Sequence, residues 1–488
     1  MSDSSRPLDS GPKPLLPPKV ATGIHGLDEI LEGGVPSGRT TLVRGGPGTG
    51  KTVIALEFLY RGALAGDPGI FVSFEESAFT LRQNAQALAW DLEQQEQNGR
   101  LILLSPDLPE HLVKSGDFDI AGLLAILDGH IAETGAKRIV IDASDVLLRL
   151  FRSVEERENQ LIRLYQWLAK QGQTAILTMK LPVSEADFHE RHEYMADCVL
   201  HLDSRVTGQV ATRRLRVIKY RGSSFISNEV PCLIAPGGVK LMPISRSRLQ
   251  TKDLGKVSTG NSELDTMLQG GFDRGTCVLV AGSTGTGKSI LAAAFATAAC
   301  ERGERLLYVN FEEGMQSFVR AMRSPGFDLN APQQDGKLQI VAELPEAMGS
   351  EEHLLRLFQH IEEFPPDHVV VDAISACQRL GSEEIAFDFV VRLLNHCRTR
   401  GITCVYLNQI EPDRSTHWIS GVGISSLVDA LIVLEQKWPG AEHLRRLLII
   451  KHRGNRHSHG YRRFRITDQG IRIDENDAAS QPVEEVKR

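Results

Sequence analysis

Two eight-residue segments of this 488-residue chain have the residue types and spacing that grip phosphate. They are Gly45-Gly46-Pro47-Gly48-Thr49-Gly50-Lys51-Thr52 and Gly282-Ser283-Thr284-Gly285-Thr286-Gly287-Lys288-Ser289. Glycines let a backbone bend until its N–H groups point inward at an anion, and a following helix N-terminus adds positive potential. Gly48, Thr49 and Gly50, and Thr284, Gly285, Thr286 and Gly287, would wrap the phosphates. Lys51 and Lys288 would reach the β- and γ-phosphates, and the hydroxyls of Thr52 and Ser289 would ligate Mg²⁺. A Gly-rich turn can match such a pattern once by chance. Two copies, each between a short apolar run and an Ala- and Leu-rich helical stretch, predict a chain that binds nucleoside triphosphate twice.

Further candidates sit at the tips of apolar runs. Asp142 closes Arg138-Ile139-Val140-Ile141, and Asp372 closes Val369-Val370-Val371. An acid so placed, facing a phosphate loop, is suited to hold Mg²⁺ through its water shell; the alternative is an aspartate capping the next helix. Glu75-Glu76 and Glu312-Glu313 follow the runs Phe71–Phe74 and Tyr308–Phe311. A carboxylate there can orient or deprotonate an attacking hydroxyl, a role expected of Glu75 and Glu312, with Glu76 and Glu313 as second-rank bases. Glu312 is also a metal candidate. The bland alternative is a solvated acidic loop. Lys219-Tyr220-Arg221-Gly222, with Ser223 after it, and Lys451-His452-Arg453-Gly454 each put Lys and Arg on one face of a strand. Arg445 belongs to the denser basic stretch around the second. These residues could be fingers reaching a neighbour's nucleotide, contacts to nucleic-acid phosphate, or a charged edge hairpin; their recurrence favours the finger. His189 and His192 lack a third ligand for zinc and read as surface-loop residues.

The elements that must position these groups recur as well. Ala21-Thr22-Gly23-Ile24-His25-Gly26-Leu27-Asp28 echoes Ser258-Thr259-Gly260-Asn261-Ser262-Glu263-Leu264-Asp265, and Glu75 and Glu312 stand at the same separation as Lys51 and Lys288. A period this long is a domain duplication. In the first copy, Thr41–Val43, Ile70–Phe74, Leu101–Leu104, Arg138–Ile141, Thr174–Met179 and Cys198–Leu202 are brief and mostly apolar throughout, as strands buried on both faces of a parallel sheet are. Amphipathic stretches such as Arg157–Lys170 and Glu352–Phe364 lie between the runs. The expected fold is therefore α/β: two tandem domains, each with a mostly parallel central sheet flanked by helices and nucleotide at the strands' carboxyl ends. Boundaries are expected at 20–245 and 255–474, joined near Pro243–Leu254, with a disordered lead-in over 1–19 and a flexible tail over 475–488.

Bulk composition narrows the classes. The chain is 41% hydrophobic and 24% charged, with a formal net charge of −7, which argues against a nucleic-acid coat protein. Seven scattered cysteines with no zinc spacing suit a reducing cytosol, so a cytoplasmic location is expected. No apolar run approaches the ~20 residues that a membrane span needs.

Together, the lead-in, both phosphate loops, the paired glutamates and both Lys-x-Arg-Gly segments closely resemble the KaiC family of double-domain RecA-like ATPases, over most of residues 20–470. The resemblance implies two stacked rings in a homohexamer with ATP and Mg²⁺ at the subunit interfaces. It further implies slow hydrolysis in the first ring and serine/threonine autokinase activity in the second. Ser425 and Ser426 stand at the family's acceptor positions, beside Gly421 and Gly423, with two small loop residues as the alternative reading. Glu312 would take the hydroxyl proton, while Lys451, Arg453 and Arg445 would reach the neighbour's phosphates. Two departures speak against a circadian oscillator: Ser-Ser replaces the usual Ser-Thr pair, with Val428 in place of a following Thr, and the segment beyond Gly470 is short. The expected protein is a signalling or timing switch with an unidentified protein partner. The rivals are a nucleic-acid-dependent ATPase and a nucleotide-gated scaffold.

Overall fold

The computed structural model describes residues 17–106, 120–151, 153–181, 186–207, 210–243, 254–380, 382–410, 424–438 and 443–477. The chain forms two compact units, dividing between Pro243 and Ile244. Residues 244–253 of the expected linker, most of the lead-in, the tail beyond Asp477 and the Gly421–Gly423 loop lie outside the described residues.

In the first unit the strands are β1 (Lys19–Val20), β2 (Val35–Pro36), β3 (Thr40–Gly45), β4 (Gly69–Ser73), β5 (Leu101–Leu104), β6 (Arg138–Asp142), β7 (Thr174–Lys180), β8 (Cys198–Thr207), β9 (Val210–Tyr220), β10 (Val230–Ala235) and β11 (Gly238–Leu241). β1 and β2 form a separate hairpin. The other nine make one sheet in the order β5-β4-β6-β7-β3-β8-β9-β10-β11. The six strands from β5 to β8 are parallel, and β9 to β11 extend the sheet antiparallel. β4 and β6 are buried along their whole length, which is why they read as unbroken apolar runs. Apolar clusters centred on Phe58, Phe71 and Trp90, and on Ile139, Phe151 and Leu164, fill the space between sheet and helices.

The second unit repeats this plan. Its strands are β12 (Lys256–Val257), β13 (Phe272–Asp273), β14 (Cys277–Gly282), β15 (Leu306–Asn310), β16 (Leu338–Ala342), β17 (His368–Asp372), β18 (Thr403–Gln409), β19 (Ala430–Lys437), β20 (Leu444–His452), β21 (Arg462–Thr467) and β22 (Gly470–Asp477). Nine of them follow the order β16-β15-β17-β18-β14-β19-β20-β21-β22. The two tandem RecA-like domains are thus present, each with a mostly parallel sheet. Strand structure begins at Lys19 and continues to Asp477, so sheet pairing reaches slightly into both segments expected to be unstructured.

One sequence expectation changes. Residues 186–195 form a helix rather than a surface loop, and His192 is fully buried there. Its ring packs edge-on against Tyr165 at 6.0 Å, a core role that short-range sequence could not reveal. The shared lead-in is structural. Asp28 accepts from the Thr22 amide at 2.8 Å, the Thr22 hydroxyl at 2.7 Å and the Gly23 amide at 3.0 Å. Asp265 does the same for the amide and hydroxyl of Thr259, both at 2.7 Å. The turn so fixed lies tightly on the phosphate-loop helix: a Cβ at Gly260 would stand 2.4 Å from the Ala294 carbonyl oxygen.

Candidate nucleotide sites

Each phosphate loop leaves the carboxyl end of a central strand, β3 or β14, and enters a 14-residue helix, Lys51–Leu64 or Lys288–Glu301. Gly50 and Gly287 cap these helices at φ 99° and 101°, left-handed values that glycine adopts without a Cβ penalty. Inside the loops, the Thr49 hydroxyl donates to Gly46 O at 2.9 Å and the Thr286 hydroxyl to Ser283 O at 2.8 Å. These bonds hold the turn closed, the loop form in which backbone N–H groups can face an anion. Lys51 Nζ donates to Gly46 O at 2.7 Å, and Lys288 Nζ to Gly282 O at 2.9 Å and Ser283 O at 3.0 Å. Burial pulls both ammonium pKa values below their ordinary 10.5, opposed by Asp142 and Glu75 in one loop and by Asp372 and Glu312 in the other. A partly desolvated cation at the mouth of an N–H nest is a strong attractor for polyphosphate.

The strand-tip aspartates stand where the sequence places them. Asp142 accepts from Thr178 Oγ1 of β7 at 2.6 Å and from Thr52 Oγ1 of the loop at 3.1 Å. Asp372 accepts from Tyr308 of β15 at 2.8 Å, and its Oδ1 is buried with no hydrogen-bond partner among the described residues. Burial pushes both carboxyls up to about 6, while their hydroxyl neighbours, Thr178 and Thr52 for Asp142 and Ser289 and Tyr308 for Asp372, favour the ionised form. A desolvated carboxylate with spare oxygen capacity beside a loop hydroxyl fits a hydrated divalent cation. Among the described residues no cluster of three or more His, Cys, Asp or Glu could hold a metal by itself. Such a cation would therefore depend on phosphate oxygens and water for most of its shell, as Mg²⁺ at nucleotide sites does.

The paired glutamates lie one turn beyond β4 and β15. The Ser73 hydroxyl accepts from the Glu76 amide at 2.9 Å, and Asn310 Oδ1 accepts from the amides of Glu312 and Glu313 at 2.9 and 3.0 Å, so the strand-end side chain fixes each acidic turn. Within the first pair the roles divide. Glu76 accepts from Asn84 Nδ2 at 2.9 Å, whereas Glu75 lies 3.9 Å from Lys180 Nζ and acts on Lys51. Glu312 acts on both Lys288 and Asp372, and both Glu312 and Glu313 are exposed.

The basic segments lie at the other end of each sheet. Tyr220 pairs with Cys198, which pairs with Thr41, and the phosphate loop begins only at Gly45. Arg221 is thus about five residues, roughly 16 Å, down the strand axis from its own loop. Arg453 follows His452, which pairs with Ala430 and through it Val278, a similar distance from Gly282. Lys219 donates to the carbonyls of Glu193 and Tyr194 at 2.7 and 2.9 Å, and Arg221 to that of Tyr194 at 2.6 Å. Lys451 donates to the carbonyls of Ser425 at 3.1 Å and Val428 at 2.7 Å, and Arg453 to that of Ser426 at 2.5 Å. Ser425 is half-buried and Ser426 exposed, on a short 3₁₀ turn before β19. Ser223 donates to the Ser224 carbonyl at 2.9 Å, near Arg221 and away from its own loop.

Arg445 departs from expectation. Rather than facing outward to a neighbour, it donates to Gly285 O of its own phosphate loop at 3.3 Å, because β20 runs antiparallel and carries Arg445 back to the loop end of the sheet. Arg213 makes the same contact with Gly48 O at 3.2 Å. Sequence reading missed Arg213, although its place in the first repeat matches that of Arg445. It also missed Thr178, Tyr308 and Lys180, which meet the site only through strand pairing.

A family profile described as "ATPase: KaiC" matches residues 20–246 and 257–478, one match per unit. The "Circadian clock protein KaiC2" of Synechocystis sp. is 36% identical over 460 residues, covering 93% of this chain and 81% of that protein. The "Circadian clock oscillator protein KaiC" of Acaryochloris marina is 34% identical over 462 residues, covering 93% and 88%. Its namesake from Synechococcus elongatus is 32% identical over 459 residues, again covering 93% and 88%. With two ATP-binding loops on duplicated RecA-like sheets and matches spanning both, the chain belongs to the KaiC family of ATPases.

Proposed function

We propose that this ATPase is a homohexamer that uses Mg²⁺, completes each ATP site with basic residues of the adjoining subunit and autophosphorylates on serine in its second domain. It would act as a signalling or timing switch in the cytoplasm, through a protein partner. One observation carries the reading: Lys451 and Arg453 are bonded to the backbone of Ser425 and Ser426, on the sheet end away from their own phosphate loop. Cationic finger and candidate acceptor hydroxyls therefore share one surface, roughly 16 Å from the ATP that their own chain would bind. Both become useful when a second subunit presents its phosphate loop to that surface. Lys219, Arg221 and Ser223 occupy the matching place in the first domain.

In this mechanism the loop amides and Lys288 hold the β- and γ-phosphates. Ser289, Asp372 and Glu312 would hold Mg²⁺, which would supply charge neutralisation at the phosphates when bound. The incoming serine oxygen forms a bond to the γ-phosphorus as the bond to the β,γ-bridging oxygen breaks and ADP leaves. Glu312 accepts the hydroxyl proton, and the incoming Lys451 and Arg453 balance the charge that develops on the transferring group. In the first domain Glu75 would orient water instead, giving hydrolysis. Incubation with γ-labelled ATP and phosphosite mapping tests the kinase reading. Label is expected on Ser425 or Ser426 and should disappear in Lys288→Ala. Intact hydrolysis with both serines unlabelled would refute it.

A further inference from the structure

The two copies hold the same aspartate by opposite neighbours. β6 lies between β7 and β4, and β17 between β18 and β15. In the first copy the donor is Thr178, fifth residue of β7, at 2.6 Å from Asp142, and the third residue of β4 is Phe71. In the second copy the fifth residue of β18 is Leu407, which can donate nothing, and the third residue of β15 is Tyr308, whose hydroxyl lies 2.8 Å from Asp372. All four side chains are buried, as are both aspartates. The equivalences are fixed by register: Val43 pairs with Thr178 as Val280 pairs with Leu407, and Phe71 pairs with Val140 as Tyr308 pairs with Val370. A hydroxyl lost on one side of the carboxylate is thus replaced by one on the other.

We propose that Tyr308 is a positioning residue for the second nucleotide site, orienting Asp372 from β15 as Thr178 orients Asp142 from β7. The proposal rests on the assignment of Asp372 to Mg²⁺ made above. A buried carboxylate with two neighbouring strands can rotate about its Cα–Cβ and Cβ–Cγ bonds unless a donor pins one oxygen. The pinned oxygen sets the direction in which the other faces Ser289 and the incoming cation. Asp142 has a second donor in Thr52 at 3.1 Å; the matching Ser289 hydroxyl neighbours Asp372, whose Oδ1 nonetheless has no hydrogen-bond partner among the described residues, so the Tyr308 hydroxyl at 2.8 Å is what pins the other oxygen. The second site therefore depends on the Tyr308 hydroxyl to fix the carboxylate's orientation. The Tyr308 ring also packs against Phe318, with centroids 4.6 Å apart, so Tyr308→Phe keeps the packing and removes the hydrogen bond alone.

The test is equilibrium binding of a fluorescent ATP analogue to the full chain, stripped with EDTA and titrated with Mg²⁺, with thermal unfolding recorded in parallel. In the wild type both sites per chain should fill. In Tyr308→Phe one of the two should need about tenfold more Mg²⁺, the loss expected for a hydrogen bond to a buried carboxylate. Thr178→Val should shift the other site by less, since Thr52 remains. The decisive variant is Tyr308→Phe/Leu407→Thr, which returns a donor from β18 and should restore the wild-type Mg²⁺ requirement. Asp372→Asn separates the layers. If it leaves Mg²⁺ dependence unchanged, the magnesium reading of Asp372 falls. If it raises the requirement while Tyr308→Phe does not, only the tyrosine's role falls. A Tyr308→Phe defect that Leu407→Thr fails to repair would also overturn the proposal.

Discussion

Replacing Asp372 by Asn should stabilise the nucleotide-free protein while disabling its second site. The carboxyl is only 3% exposed, and burial raises its pKa from 3.8 to about 6. A group whose folded pKa lies above its unfolded value contributes stability that is present below the unfolded pKa and is lost as pH rises through the folded one. For Asp372 that window runs from 3.8 to about 6. A rise of that size withholds about 3 kcal/mol from the folded state at neutral pH. Asparagine escapes that cost but brings an amide N–H₂ in need of an acceptor, worth about 1 kcal/mol. The net gain is about 2 kcal/mol at pH 7.5, or roughly 4–8 °C in the unfolding transition of a domain of this size. About half of the carboxylate's cost has gone by pH 5 and most of the rest by pH 4, so the advantage should shrink in step. Calorimetry of both proteins in EDTA across pH 4–7.5 measures it directly. A variant less stable than wild type at pH 7.5, or a difference that does not vary with pH, would refute the reasoning.

Other expectations follow from the site geometry. Lys288→Ala should abolish phosphorylation, and Lys51→Ala should chiefly impair assembly and ATP turnover, read by labelled-phosphate transfer, phosphate release and native mass. Arg453→Ala and Lys288→Ala proteins, each inactive in transfer, should recover part of the activity when mixed and reassembled, because one supplies the finger that the other needs; no recovery would place both groups on a single chain's site. Arg213→Ala and Arg445→Ala each remove a donor to a loop carbonyl, Gly48 O or Gly285 O, and should weaken nucleotide binding a fewfold at one site per chain, measured by titration.

Much of this is legible in the amino-acid order alone. The phosphate loops, the six parallel strands of each sheet, both aspartates and both acidic turns are local patterns, since a strand buried on both faces must be apolar throughout and an acid at its tip stands out. Less can be read where chemistry depends on which strand lies beside which. Thr178 and Tyr308 sit within apolar runs and reveal a role only when β7 or β15 is set beside the aspartate strand. Arg445 is one basic residue among many until the antiparallel turn into β20 returns it to its own loop. His192 reads as a surface residue because its burial comes from Tyr165, distant in sequence. The antiparallel strands β9, β20 and β21 are rich in Arg and Lys, and so resemble a charged edge hairpin rather than part of the main sheet.

The central claim is that each ATP is held by one subunit's loop and completed by another's basic segment. Native mass spectrometry of the purified chain in saturating ATP and Mg²⁺ tests it most directly. A closed hexamer carrying two nucleotides per chain is the predicted result, and a monomer, with or without bound nucleotide, would contradict the account.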